Sequence, residues 1–199
     1  KEILVVNDHS KRNKSKDYFD KIISLGCNVI ENLNIQGKGS AIKFAIQQIS
    51  KTNNEFLITA DSDGQHTPDD IIKIKNMGYK TNSFVIGQRY FNNKVPLRNR
   101  YSNIVSSFFF NLFTNGSLVD TQCGLRFIPK RHFKIILDIN ENQFDFEMMM
   151  LFKILKTENI QSIKIKTIYS KENYKTNFKK FSDTFLIFKV FFKNFLNIE

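Results

Sequence analysis

The stretch that most constrains this chain is a short apolar run closed by acids. Glu55-Phe56-Leu57-Ile58-Thr59-Ala60 reads as a buried strand, and Asp61-Ser62-Asp63-Gly64-Gln65-His66 follows it directly. In extended backbone, residues i and i+2 point to the same side, so Asp61 and Asp63 can aim at one point. Gly64 lets the chain bend just after them. Two converging carboxylates repel each other unless a cation joins them, and oxygen ligands favour Mg²⁺ or Mn²⁺. The bland alternative is a solvated acidic turn. An EF-hand loop is excluded, because its sixth position would be His66 and its twelfth Ile72.

The rest of the chain supplies a frame for such a turn. Ile3–Val6 is a strand, 11–25 an amphipathic helix stopped by Gly26, and Asn28–Glu31 a second strand. Residues 34–40 read as a loop with two glycines and 41–50 as a helix. Thr67-Pro68-Asp69-Asp70 opens another helix, with a Thr cap, Pro at the first position and acids in the first turn. This alternation predicts an α/β fold with a mainly parallel sheet and helices on both faces. Ligands of such sheets bind at the carboxyl ends of strands, where Asp8 and Asp61/Asp63 both lie. Further on, 84–86 reads as a strand leading to Arg89, and a basic loop runs from Lys94 to Arg100. Residues 102–113 read as a helix, 120–124 as a polar stretch, 125–128 as a strand, 144–155 as a helix and 163–166 as a half-exposed strand. Residues 181–198 form an apolar appendage with Lys189, Lys193 and Asn197 down one side. It is either an interfacial membrane helix or a core helix with two exposed lysines.

At 199 residues the chain suits one domain, and a formal net charge of +11 calls for an anionic partner. Nucleic acid, acidic lipid and phosphorylated small molecules all qualify by charge. No nucleic-acid-binding motif occurs, and the basic residues are spread along the chain. Cys27 and Cys123 have no metal spacing and read as reduced thiols in a cytosolic setting. No stretch of about 18 apolar residues is present. The chain opens within a strand and without Met, as a fragment lacking an N-terminal segment would.

Several motifs in order carry a resemblance. Val5-Val6-Asn7-Asp8-His9-Ser10 resembles a strand followed by Asp-Asp-Gly-Ser. Gly37-Lys38-Gly39-Ser40-Ala41 resembles Gly-Lys-Gly-x-Ala, and Asp61–His66 resembles Asp-x-Asp-x-Gln-His. Ile86-Gly87-Gln88-Arg89 and Asp120-Thr121-Gln122-Cys123-Gly124-Leu125-Arg126 are similar to Gly-x-Arg and Asp-x-Gln-Cys-Gly-Phe-Arg. Thr167-Ile168-Tyr169, Asn177-Phe178 and Asp183 resemble a Thr-x-Tyr…Ser-His-Phe-Arg-Pro…Asp ending. Together they resemble the family 2 glycosyltransferases of the GT-A fold, nearest to the dolichyl- and polyprenyl-phosphate mannose or glucose synthases. The family's opening strand, ending in Pro-x-Tyr-Asn-Glu, is absent, so the resemblance implies a GT-A domain over 1–180 lacking its first strand.

The resemblance implies a metal-dependent, inverting transfer of a hexose from a nucleotide sugar, of GDP-mannose or UDP-glucose type, to a polyprenyl phosphate. The expected setting is the cytoplasmic face of a membrane. Asp61, Asp63 and Asp120 are the expected catalytic residues, and Asp61, Asp63 and Gln65 the expected holders of the cation. Asp8, Lys38 and Asp61 are assigned to the donor; for Asp8 the alternative is a helix-capping turn. Lys38 is not part of a Walker A loop, because Asn32 stands at the first Gly position and Gly39 at the Ser/Thr. Arg89, Arg98 and Ser102 are assigned to the acceptor phosphate, with plain surface arginines as the alternative. Glu147 is either a supporting group or a helix-surface acid. The rivals are a sugar-hydroxyl acceptor, a nucleic-acid-binding module and a catalytically dead membrane scaffold.

Overall fold

The computed structural model describes residues 2–10, 12–89, 97–114, 118–143, 145–166 and 168, leaving aside the side chains of 12–16, 97–102 and 113. Strand β1 (Leu4–Asn7) leads through α1 (Arg12–Ser24) to β2 (Asn28–Glu31), and the two strands pair in parallel. Helix α2 (Lys38–Ser50) then leads to β3 (Phe56–Thr59), α3 (Pro68–Thr81), β4 (Val85–Arg89) and α4 (Leu97–Thr114). After these come β5 (Arg126–Pro129), a short α5 (Phe133–Leu137), α6 (Asp145–Leu155) and β6 (Gln161–Ile165). The second sheet has the order β3-β5-β4-β6.

The α/β class stands, but the sheet is mixed. β1–β2 and β4–β6 are parallel, whereas β5 runs antiparallel to both β3 and β4. Since β5 opposes both neighbours, β3, β4 and β6 all point the same way, and their carboxyl ends share one edge. The polar stretch 120–124 enters β5 from that same edge.

Helices do cover both faces of this sheet. At Gly78 of α3 a Cβ would stand 2.3 Å from the Phe127 ring, so Phe127 faces α3. Its neighbour Arg126 points the opposite way, as alternation requires, and meets Glu147 of α6. The core gathers here: Phe84, Val85, Ile86, Leu125 and Ile128 are fully buried, and α6 is buried almost all round. A helix apolar on every side is a core helix. Helix α3 begins as its sequence predicts. Thr67 accepts a hydrogen bond from the Asp70 N–H, and the fully buried Asp70 carboxylate also takes Lys73 and the Lys166 N–H.

One boundary is corrected. α2 starts at Lys38 rather than 41, because the Asn142 carbonyl accepts the Gly39 and Ser40 N–H groups and so satisfies the first turn. Residues 120–124 are polar in sequence yet mostly buried, with Asp120, Thr121 and Cys123 at most 1% exposed. The basic loop through residue 96, the ending motif beyond Ile168 and the appendage 181–198 lie outside the described residues. Among the described residues, no helix is long and apolar enough to cross a membrane.

Candidate active site

Two carboxylate–cation pairs stand along the edge where β3 and β4 end. The first is built on Asp61. Its Oδ1 lies 2.8 Å from Lys38 Nζ, and its Oδ2 lies 3.7 Å from His66 Nε2. The carboxylate backs onto Gly124, where a Cβ would stand 2.3 Å from Oδ2. Any side chain at 124 would therefore evict Asp61. Thr59 Oγ1 donates to the Gly124 carbonyl and fixes this approach. Burial works against the charged form of Asp61, but Lys38 and His66 outweigh it and hold the carboxyl well below its ordinary range.

Lys38 has a second anionic partner, Glu147 Oε2, at 3.1 Å. Glu147 is buried in α6, and its Oε1 lies 3.2 Å from Arg126 Nη2 without the alignment of a hydrogen bond. Arg126 is itself fully buried; its guanidinium donates to the Cys123 and Thr121 carbonyls. Burial pulls the Lys38 ammonium toward neutrality, but Glu147 and Asp61 overcome it and raise its pKa above the ordinary lysine value. Asp8 reaches the same turn from behind. Its two oxygens accept from Asn32 Nδ2 at 2.8 Å and from the Gly37 N–H at 3.0 Å, tying β1 and β2 to the start of α2.

The second pair is Arg89 with Asp120. Arg89 Nε and Nη2 donate to the two carboxylate oxygens at 2.5 and 3.1 Å, a bidentate fork. Asp120 is fully buried, and its Oδ1 also accepts the Gln122 N–H. Gln88 closes the arrangement by accepting the Val119 and Asp120 N–H groups. Asp120 is thus not an exposed base. Its oxygens are taken up by the Arg89 fork and the Gln122 N–H. Cys123 is sealed beside this pair; burial, with Asp120, pushes its thiol up to about 12 and leaves it an inert thiol.

One loop joins the pairs. Asp120 engages Arg89 and Gly124 touches Asp61. Four residues of chain span at most about 14 Å, so the two pairs lie close together along one edge of the sheet.

The remaining expected residues are placed as follows. Asp63 is exposed, and its Oδ1 accepts the Gln65 N–H at 3.0 Å, so it steadies its own turn. Gln65 is half-buried, and its carbonyl accepts the Ile168 N–H. Arg98 and Ser102 fall one turn apart on α4, with side chains outside the described set. Among the described residues, no group of three His, Cys, Asp or Glu side chains is assembled to hold a metal. Mg²⁺ and Mn²⁺ commonly take one or two carboxylates together with water and substrate phosphates. The donors present fit such an ion. Asp61 and Asp63 offer hard oxygens, and the buried His66 ring, 3.7 Å from Asp61, makes no close hydrogen bond among the described residues.

Sequence reasoning missed Arg126 and Gly124, and left Glu147 undecided. A signal for two of them exists. Leu125-Arg126-Phe127-Ile128 and Phe146-Glu147-Met148-Met149-Met150 each carry one charge inside an apolar run. A charge buried that way needs a partner, and the two have opposite signs.

Comparison with known proteins identifies the family and the fold. The model of the family described as glycosyl transferase family 2 matches residues 1–157. The chain belongs to glycosyl transferase family 2. A UDP-N-acetylglucosamine–dolichyl-phosphate N-acetylglucosaminyltransferase of Methanococcus voltae is 28% identical over 166 residues, covering 79% of this chain and 64% of that protein. An uncharacterized protein of Methanocaldococcus jannaschii is 31% identical over 180 residues, covering 85% of this chain and 71% of that one. The chain therefore spans less than two thirds of the length of the first of these relatives. Among solved structures, a mycobacterial protein superposes with a TM-score of 0.71 at 13% identity, over 96% of this chain and 64% of that chain. Glucosyl-3-phosphoglycerate synthase of Mycobacterium tuberculosis, solved with Mn²⁺, UDP-glucose and phosphoglyceric acid, superposes with a TM-score of 0.56 at 12% identity, over 84% of this chain and 59% of that chain. These likenesses establish the GT-A fold.

Proposed function

We propose that this chain is the catalytic domain of a metal-dependent glycosyltransferase that moves a sugar from a nucleotide sugar to a polyprenyl phosphate at a membrane surface. The observation that carries the reading is the loop 120–124, which ties the Asp61 pair to the Arg89–Asp120 pair on one edge. A donor pyrophosphate at the first and an acceptor phosphate at the second are then neighbours. The relative that acts on dolichyl phosphate supports the choice of acceptor.

A divalent cation bound here would neutralise charge growing on the departing nucleoside diphosphate. Asp61, Asp63 and Gln65 are the residues that would hold it. Asp8 shapes the donor side by fixing Asn32 and Gly37. Arg89, aimed by Asp120, presents guanidinium donors to the acceptor phosphate, with Arg98 and Ser102 assigned beside it. The acceptor phosphate oxygen forms the new bond to C1 as the C1–O bond to the diphosphate breaks. That oxygen is already ionised at neutral pH, so no general base is required. This removes the need for Asp120 to take a proton, in keeping with its burial.

The test is product analysis with radiolabelled UDP-GlcNAc, UDP-glucose and GDP-mannose, each offered undecaprenyl phosphate or simple sugars as acceptor. The expected result is label in the organic phase with one donor, abolished by EDTA and by Asp61→Asn. Transfer to sugars alone would move the reading to a hydroxyl acceptor. No transfer with any donor, in a chain that melts cooperatively, would sink it.

A further inference from the structure

Lys38 stands where local structure does not want a cation. It is the first residue of α2, at the positive end of the helix dipole. The backbone around it is held by Asp8 at Gly37 and by the Asn142 carbonyl at Gly39 and Ser40. Its ammonium nevertheless sits between two carboxylates, 2.8 Å from Asp61 and 3.1 Å from Glu147. The two acids differ in exposure. The Asp61 side chain is 29% exposed, whereas that of Glu147 is 7% exposed and backed by Arg126.

We propose that Lys38 is the resident counter-ion of Asp61, and that Glu147 is the berth that keeps Lys38 when Asp61 is given over to a divalent cation. The inference rests on the metal-dependent reading above. A carboxylate already neutralised by an ammonium attracts a dication weakly, so the lysine must be able to leave. Its four-carbon stem is flexible and its head is a compact charge. Moving it out into water would strand Glu147 in the core with one imperfectly aligned partner. Turning it from Asp61 to Glu147 keeps it paired, and the contact is already made. Lys38 and Glu147 are thus positioning residues: they decide which partner the Asp61 carboxylate faces, without touching the reacting atoms.

The test is Mn²⁺ binding to the chain, read from the EPR signal of free Mn²⁺, alone and with UDP, with thermal melting of every variant. Lys38→Met should tighten Mn²⁺ binding by about fivefold or more, because the competing cation is gone, whereas Lys38→Arg keeps a competing cation and should not tighten it. Glu147→Gln should weaken binding by about fivefold, since Asp61 becomes the sole anion available to Lys38. In the double variant the Glu147→Gln effect should vanish, leaving the affinity of Lys38→Met. Should Glu147→Gln fail to fold, the contrast between Lys38→Met and Lys38→Arg decides alone. Weaker binding in Lys38→Met, equal behaviour of Met and Arg, or an undiminished Glu147→Gln effect in the double variant overturns the inference while leaving the metal site intact. No Mn²⁺ binding by the wild type, with or without UDP, overturns both the inference and the metal-dependent reading.

Discussion

The two acid–cation pairs on this edge are made of the same chemistry and built for opposite ends. Asp120 is fully buried and grips Arg89 through two parallel bonds. Asp61 is part-exposed and meets Lys38 through one oxygen. An Arg fork with a buried carboxylate has one good geometry, and breaking it strands a charge in the interior. A lysine on a half-exposed carboxylate has several geometries and a second partner in reach. The first arrangement fixes a direction; the second permits exchange. A transferase needs both, a guanidinium that does not wander and a carboxylate that can change partners.

The largest effect expected from breaking this contrast is on stability at the fixed pair. Asp120→Ala leaves Arg89 without its buried partner and frees the Val119–Gln122 turn, at a cost of about 3–5 kcal/mol. Chemical denaturation checks it, with a fall in midpoint at unchanged slope. Asp61→Asn should do the reverse. Lys38 still has Glu147, so stability changes by about 1 kcal/mol or less, while turnover falls on the order of 10²–10³-fold. Comparing melting temperature with initial rate for the two variants separates the pairs; equal stability losses would erase the distinction. Gly124→Ala sharpens it further. The added methyl meets the Asp61 carboxylate, so the variant should lose about 1–3 kcal/mol by overpacking and also lose activity, while Arg89 keeps its fork to Asp120. Activity surviving in Gly124→Ala would mean that Asp61 does not work where the structure puts it.

How much of this was legible in the sequence follows from the same contrast. The Asp61 turn was readable because its signal is local: an apolar strand, two acids, a glycine. The start of α3 was readable for the same reason, in Thr67-Pro68-Asp69-Asp70. The Arg89–Asp120 pair was named residue by residue, but not as a pair. Its members are 31 positions apart, and β5 enters the sheet in the reverse direction, which no periodicity announces. The early start of α2 was missed because the satisfying acceptor, the Asn142 carbonyl, comes from about a hundred residues away. Glu147 stayed undecided between a supporting group and a helix-surface acid because its partners, Arg126 and Lys38, are distant in sequence. Local propensity thus marks the end of each strand, while long-range partners decide what the side chains there can do.

The smallest expected effect is a pH dependence confined to the exchangeable pair. The Asp61 carboxyl is depressed in the folded chain. Its contribution to stability is therefore complete above the unfolded value, about 4, and is lost as pH falls below that toward the folded value. Lys38 is raised, so its share is complete below the unfolded lysine value, about 10.4, and is lost as pH climbs through the folded one. Between those limits the pair adds a constant increment. The melting temperatures of wild type and Asp61→Asn should differ by the same amount from about pH 5 to pH 9, and the gap should narrow progressively below about pH 4. Melting curves at pH 3, 5, 7 and 9 decide it. A gap that widens on acidification would mean that Asp61 is protonated more readily in the fold than out of it, which Lys38 at 2.8 Å forbids.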